Sequence, residues 1–110
     1  MERSVKGDVV VIPFPFADLS QAKRRPALVI SVLEGEDLIL CQITSQTLKD
    51  RYSISLYDDD SDQGSLRKES NVRTNRLFTA DKSIVLYKIG TLKKTKLNEI
   101  INKVAEIIRS

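Results

Sequence analysis

The strongest constraint on the fold of this chain is that helical periodicity occurs in one stretch only, at the end of the sequence. Thr95 lies just before this stretch, and threonine is a favoured N-cap residue. The sequence therefore predicts a single amphipathic helix at the end of the chain, with Thr95 as its N-cap. Its apolar residues recur at the three- and four-residue spacing that puts side chains on one helix face: Leu97, Ile100, Ile101, Val104, Ile107 and Ile108.

Before this helix, the apolar runs are short and are separated by turn-forming residues, which is typical of strands. Val9–Ile12 is a continuous β-branched run, and Glu34–Glu36 is a turn between strands predicted over 27–33 and 38–43. Further strands are predicted over 51–57, in pieces of 72–85 and at 86–89, with loops at 17–25 and 58–65. Roughly five or six strands and one helix predict a mostly β fold of the α+β class. Closure of the sheet into a small barrel would remove most of its exposed edges.

Length and composition indicate one globular domain over residues 1–110. No stretch is apolar enough to span a membrane, and the N-terminus lacks the apolar segment of a signal peptide. Cys41 is the only cysteine, so an internal disulfide is excluded. These features predict a cytoplasmic protein with no membrane association.

The net charge of +3 is modest, but charges of opposite sign occupy different parts of the sequence. The acidic residues concentrate at Asp58–Asp60 and Asp62. Such segregation is typical of a protein that presents a basic surface to phosphate groups. The basic residues form five clusters: Lys23–Arg25, Lys49 with Arg51, Arg67 with Lys68, Arg73 with Arg76, and Lys93 with Lys94 and Lys96.

Histidine, the commonest general base and the commonest metal ligand, is absent from the sequence. With one cysteine and no histidine, a zinc site is excluded. The acidic run that begins at Asp58 imitates the spacing of a calcium-binding loop, but Gly64 stands one residue later than the glycine such a loop requires. The sequence therefore predicts a solvated acidic loop, and neither a metal nor another cofactor.

Several blocks of sequence occur in a distinctive order. The chain opens with Gly7–Val11, continues with an Arg-Pro pair and an apolar strand in Arg24–Ser31, and reaches Ile43–Ser45 at the end of the next predicted strand. Ser70–Lys82 and Ile89–Leu92 then lead into the final helix. In order and spacing, over residues 7–108, these blocks resemble the MazF/PemK family of toxins from type II toxin–antitoxin systems.

The resemblance implies an SH3-like β-barrel with a C-terminal helix, assembled as a homodimer. It also implies an endoribonuclease toxin that cuts single-stranded RNA, such as messenger RNA, at selected sequences and is neutralised by a cognate antitoxin. In such a reaction the RNA's own 2′-hydroxyl attacks the phosphate, and no metal is needed.

The resemblance places Arg25, Thr44 and Arg73 at the catalytic site. Cleavage through the 2′-hydroxyl needs a proton acceptor, groups that stabilise the charge of the crowded phosphate, and help for the leaving oxygen. The guanidinium of Arg25 has the fork of donors that suits phosphate oxygens, and the hydroxyl of Thr44 can donate to another oxygen. From pattern alone, an ordinary surface role is the more common one both for an arginine in a basic loop and for a threonine at a strand end.

The family's proposed general base does not carry over, because Asn75 stands where some members have an aspartate. Two other carboxylates, Asp18 and Asp81, are the candidates to replace it. The further candidates for RNA binding are Arg24, Ser45, Asn75, Arg76 and Phe16, the last as a surface on which a base can stack. Phe14 and Phe78 are also considered for stacking, with core packing as the more ordinary role for all three phenylalanines.

A second hypothesis gives the chain a different kind of function. The gyrase-poisoning CcdB toxins share the predicted barrel and act by gripping a protein, so the chain can equally be a non-catalytic binding module. The Arg25–Pro26 and Ile43–Thr44 pairs favour the nuclease.

Overall fold

A computed structural model describes residues 3–15, 19–46, 50–64 and 69–110 of the chain. Its strands form one curled antiparallel sheet in the order β4-β6-β3-β2-β1-β7-β5, which confirms the mostly β fold with one C-terminal helix. Within the described residues, no helix is long and apolar enough to cross a membrane. The elements are β1 (Asp8–Phe14), β2 (Lys23–Val32), β3 (Asp37–Thr44), β4 (Ser53–Leu56), β5 (Ser61–Gly64), β6 (Ser70–Asp81), β7 (Tyr87–Leu92) and α1 (Lys94–Arg109).

Both faces of the curled sheet are covered, because apolar residues at successive positions of β1, β2 and β3 point to opposite sides. One set packs under α1 and forms the helix-side core: Val9, Leu28, Ile30, Cys41, Ile43, Leu56, Val72, Leu92, Leu97 and Ile100. The other set forms the second core, against which Ile84 and Val85 pack: Val10, Ile12, Ala27, Val29, Leu38, Leu40 and Ala80.

The helix starts earlier than the sequence predicts, and its N-cap is Lys93 instead of Thr95. The Lys93 N–H donates to the Asp60 carbonyl at 2.8 Å, and the Leu97 N–H donates to the Lys93 carbonyl at 3.0 Å. The tertiary contact with Asp60 holds Lys93 in an extended conformation at the point where the helix begins. Thr95 therefore lies inside the first turn, and the N-cap prediction was wrong.

The basic segment Lys23–Arg25, predicted as part of a loop, is the first part of β2. Its residues pair with the end of β1: Ile12 with Arg25, Pro13 with Arg24 and Phe14 with Lys23. Backbone pairing with β1 extends the strand through residues whose polarity suggests a loop. Both candidate arginines are consequently carried by a strand that continues into the two cores.

Strand β6 is continuous over Ser70–Asp81, where the sequence predicts several pieces. Its pairing with β3 shifts in the middle: Cys41 pairs with Leu77, and Ile43 pairs with Val72. Residues 73–76 of β6 therefore stand opposite Gln42 alone, so β6 bulges away from β3 at this point. Because of this bulge, the arginines of β6 cannot be placed relative to β3 by simple strand alternation.

The acidic stretch, predicted as a loop, contains a 3₁₀ turn at Asp58–Asp60 followed by the edge strand β5. The aromatic residues considered for stacking have different surroundings. Phe14 and Phe78 are partly buried against the second core, with ring centroids 6.0 Å apart. Core packing is thus their observed role, while Phe16 lies outside the described residues.

Candidate functional site

A cleft of about 760 Å³ opens at the end of the sheet where β2 begins and β3 ends. Buried Val9, Ile43 and Leu56 give it an apolar floor that belongs to the helix-side core. Its exposed polar residues come from β2 and from the segment that follows β3. The complete lining among the described residues is Val9, Arg24, Arg25, Pro26, Gln42, Ile43, Thr44, Ser45, Gln46, Leu56, Ser70, Tyr87 and Ile89.

Arg25 and Thr44 reach this cleft from neighbouring strands. The last pair of the β2–β3 ladder at this end is Ala27 with Gln42. Arg25 lies two residues before Ala27, and Thr44 lies two residues after Gln42, so in antiparallel strands the two stand opposite each other on the same face. Arg25 is exposed and Thr44 is half-buried. The geometry therefore pairs an exposed cation with a hydroxyl fixed at a strand end.

The turn after β3 is held by hydrogen bonds on two sides. The Gln46 N–H donates to Thr44 Oγ1 at 3.2 Å, and Asn71 Nδ2 donates to the Gln46 carbonyl at 2.9 Å. Ser55 Oγ in turn donates to Asn71 Oδ1 at 3.2 Å. Asn71 is only 8% exposed and is the β6 partner of Thr44 in the sheet. A buried amide thus fixes the Thr44–Gln46 turn against β6 and β4.

Arg24 reaches the cleft from the other face of β2, because successive residues of a strand alternate. Pro26 shares that face with Arg24, and Val11 of β1 pairs with both Pro26 and Tyr87 of β7. Pro26, Val11 and Tyr87 therefore form a row of side chains across β2, β1 and β7. Arg24 lies beside the Pro26 end of this row, and Tyr87 is its other end. Tyr87 is 50% exposed and lines the cleft, although sequence reasoning overlooked it.

Arg73 does not line the cleft. It lies on β6 opposite Ser53 of β4, with its side chain 21% exposed and Nη2 3.8 Å from Asp50 Oδ2. Its Nε is buried without a hydrogen-bond partner among the described residues. The Arg73 carbonyl accepts a hydrogen bond from the Cys41 thiol at 2.9 Å. Within one chain, then, Arg73 lies outside the cleft lining, beside Asp50 and Cys41.

The remaining candidates lie in different places. Ser45 lines the cleft, whereas Asn75 and Arg76 are exposed in the bulged part of β6 and do not line it. Asp81 is at the far end of β6, paired with Asp37, and accepts a hydrogen bond from the Ser83 N–H at 2.8 Å. That bond holds the pKa of Asp81 below its usual value, as expected for a stabilised carboxylate. Asp18 lies outside the described residues.

Among the described cleft residues there is no carboxylate; the lining offers two guanidinium groups, hydroxyls and carboxamides. These are donors suited to an anionic ligand such as a phosphodiester. Gln42, Gln46 and Ser70 join Tyr87 as lining residues that the sequence did not suggest, because an isolated polar residue in or beside a strand gives no pattern by itself. In the described part of the chain, no group of His, Cys, Asp and Glu is arranged to hold a metal ion.

Comparison with known proteins places this geometry in context. The family model described as PemK-like, MazF-like toxin of type II toxin–antitoxin system matches residues 5–108. No curated protein matches the chain in sequence.

Solved structures give the same fold. MazF from Deinococcus radiodurans superposes with a TM-score of 0.76 at 21% identity, covering 100% of both chains. An endoribonuclease from a mycobacterial species, in complex with its cognate antitoxin, has a TM-score of 0.73 at 15% identity and covers 98% of this chain and 95% of its own. The Mycobacterium tuberculosis toxin MazF-mt6 has a TM-score of 0.72 at 14% identity, with coverages of 93% and 96%.

Proposed function

The chain belongs to the PemK-like, MazF-like family of toxins of type II toxin–antitoxin systems, and we propose that it is an endoribonuclease that cuts single-stranded RNA at selected sequences. The mycobacterial structural neighbour is an endoribonuclease, which supports this proposal. The observation that carries it in this chain is the convergence of Arg25 and Thr44 on a cleft whose described lining is basic and contains no carboxylate.

In the proposed reaction, the RNA's 2′-oxygen attacks the adjacent phosphorus, and the bond from phosphorus to the 5′-oxygen breaks. The products are a 2′,3′-cyclic phosphate and a 5′-hydroxyl end. The Arg25 guanidinium stabilises the negative charge that grows on the non-bridging oxygens, and the Thr44 hydroxyl donates to one of them. We assign Ser45 and Arg24 to substrate binding at the rim, and Arg73, Asn75 and Arg76 to contacts with RNA beyond the cleft.

The proton of the 2′-hydroxyl needs an acceptor, and Asn75 cannot serve because an amide does not take up a proton usefully. Asp81 is hydrogen-bonded to Ser83 at the opposite end of β6, which leaves Asp18, in the connection between β1 and β2, as the better candidate. We also assign Phe16, in the same connection, to RNA binding.

We propose that the reaction needs no metal. The chain contains no histidine, and the chemistry of the cleft rests on guanidinium and hydroxyl donors, which can neutralise phosphate charge themselves.

We further propose that the protein acts in the cytoplasm, assembles as a homodimer and is neutralised by a cognate antitoxin. The antitoxin complex of the mycobacterial neighbour supports the last point.

The test is to incubate the purified protein with a mixed-sequence RNA in EDTA and to map the ends of the products. Cleavage at recurring short sequences, with 2′,3′-cyclic phosphate ends, is the expected result. Loss of cutting in EDTA with recovery in magnesium would refute the metal-free reaction, and 3′-hydroxyl ends would show that water is the nucleophile. If no RNA is cut although the protein still arrests growth, the binding-module hypothesis takes its place.

A further inference from the structure

We propose that Tyr87 is the stacking surface for one unpaired base of the RNA, next to the phosphate that is cut. The inference rests on the proposed function and adds a base-binding position to it. An aromatic ring that is half exposed beside basic side chains is the arrangement by which proteins hold single-stranded nucleic acid, since every base offers a π-face.

The position of Tyr87 in the sheet supports this role. Pro26, Val11 and Tyr87 form one row across β2, β1 and β7, and Arg24 lies two residues beyond Pro26 on the same face. Two interstrand spacings and two residues along a strand separate the backbones of Tyr87 and Arg24 by about 12 Å. Both side chains are long enough to shorten that gap, so one nucleotide can place its base on Tyr87 while its phosphate meets Arg24.

The surroundings of the ring favour a base over other ligands. Ile89 lies two residues along β7 and also lines the cleft, and with Pro26 it gives the ring an apolar setting. Tyr87 is half exposed, and its hydroxyl has no hydrogen-bond partner among the described residues, so one side of the ring is open to a ligand. Phe14 and Phe78, in contrast, pack against each other at the second core.

Tyr57 provides a matched control. It is 49% exposed, nearly the same as the 50% of Tyr87, but it stands beside the acidic turn Asp58–Asp60 and does not line the cleft. Tyr57→Ala therefore removes the same amount of exposed aromatic surface without touching the proposed base position.

The experiment first maps a cut sequence with the wild-type protein and then uses an oligonucleotide that spans it, blocked by a 2′-O-methyl group at the attacking position. Binding is measured by fluorescence anisotropy for Tyr87→Ala, Tyr87→Leu, Tyr87→Phe and Tyr57→Ala. We expect Tyr87→Ala to raise Kd by about 5- to 150-fold, as removal of a stacking ring does. Tyr87→Leu keeps the bulk but should bind nearly as weakly, whereas Tyr87→Phe and Tyr57→Ala should bind within about 2-fold of wild type.

A series of oligonucleotides with a single abasic nucleotide then identifies the base. Omission of the stacked base should weaken binding by the wild-type protein but cause no further loss in Tyr87→Ala. Equal binding by Tyr87→Ala and Tyr57→Ala, or additive losses at every position, would overturn the proposal while cleavage by the wild type still supports the nuclease. Loss of antitoxin binding alone in Tyr87→Ala would also overturn it, and a wild type that neither cuts nor binds RNA would remove the proposed function together with this inference.

Discussion

Arg24 and Arg25 are neighbours in the chain, but they leave β2 on opposite faces of the sheet. Arg25 shares its face with Thr44, and Arg24 shares its face with Pro26 and the row that ends at Tyr87. A sequence cannot assign these faces until it is known that Lys23–Arg25 is strand and not loop. With the strand in place, the two arginines are expected to act in different steps of the reaction.

Arg25→Ala should lower kcat by about 10²- to 10³-fold, because a positioned donor that meets growing phosphate charge contributes about that much. Folding should be unaffected, since Arg25 is exposed and such substitutions usually change stability by less than about 0.5 kcal/mol. Arg24→Ala should instead weaken RNA binding and reduce the salt dependence by about one unit of slope. Normal cutting by Arg25→Ala at saturating RNA would mean that the catalytic arginine is a different one.

Cys41 should make the stability of the protein depend on pH in the alkaline range. Burial raises the pKa of its thiol from 9.0 to about 12, so the folded state keeps the proton over a range in which the unfolded chain loses it. This contribution to stability is complete below pH 9 and is lost as pH rises from 9 towards 12. At pH 10.5 the wild-type protein should have lost about 2 kcal/mol of its free energy of unfolding through this thiol. The destabilisation by Cys41→Ala, measured by urea unfolding, should therefore be smaller at pH 10.5 than at pH 7. An unchanged difference would contradict the shifted pKa.

At the scale of elements, the sequence was informative wherever one strand could be understood from its own pattern. The continuous apolar runs of β1, β2 and β3 and the period of α1 follow from local spacing. The bulge of β6 opposite Gln42, the early start of β2 and the Lys93 N-cap depend on partners that are distant in sequence. The candidate site followed the same division. Arg25 was expected in the loop that enters a predicted strand and Thr44 at the end of the next one, whereas Asn71 and Tyr87 gain their positions only through strand pairing.

Asn71→Ala should lower kcat by about 10- to 100-fold with little change in KM, because it frees the turn that positions Thr44, and small misplacements of catalytic groups are costly. The matched control is Thr74→Val. Thr74 is 1% exposed in the same strand, and its hydroxyl donates to the Tyr52 carbonyl away from the cleft. Both variants should lose about 1–3 kcal/mol of stability, measured by urea unfolding. If Thr74→Val loses kcat to the same extent, Asn71 has no positioning role.

Asp8 joins β1 to the strand beside it. It is fully buried, and its carboxylate accepts hydrogen bonds from the Val5 N–H and the Thr91 hydroxyl, each at 2.9 Å, with Lys88 Nζ 3.5 Å from Oδ1. Asp8→Ala would remove the shared acceptor of these part-buried donors and should lower the free energy of unfolding by about 1–3 kcal/mol. Asp62→Ala, at an exposed position of β5, is the control and should change it by less than about 0.5 kcal/mol. Equal unfolding midpoints for the two variants would exclude this role for Asp8.

At the scale of the whole molecule, the sequence predicts the fold much better than it predicts the cleft. The two cores depend on apolar residues that pattern reveals, and the family match over residues 5–108 agrees with the fold they build. The cleft is different, because its lining combines side chains from both faces of β2 with those of β7 and of the turn after β3. No single segment of sequence carries that combination.

We expect the folded chain to assemble as a symmetric homodimer. A 12.4 kDa chain buries a smaller share of its surface than a larger domain, so its stability alone is modest, and a symmetric partner is the commonest way to add buried area. A standard interface removes about 800 Å² from each partner, roughly a tenth of the 7248 Å² that this chain exposes. Light scattering at micromolar concentration should therefore give twice the mass of the chain. The unfolding temperature should also rise with protein concentration, because dissociation accompanies unfolding. A monomer mass together with a concentration-independent unfolding temperature would show that the folded chain, including its Arg25–Thr44 cleft, is stable without a partner.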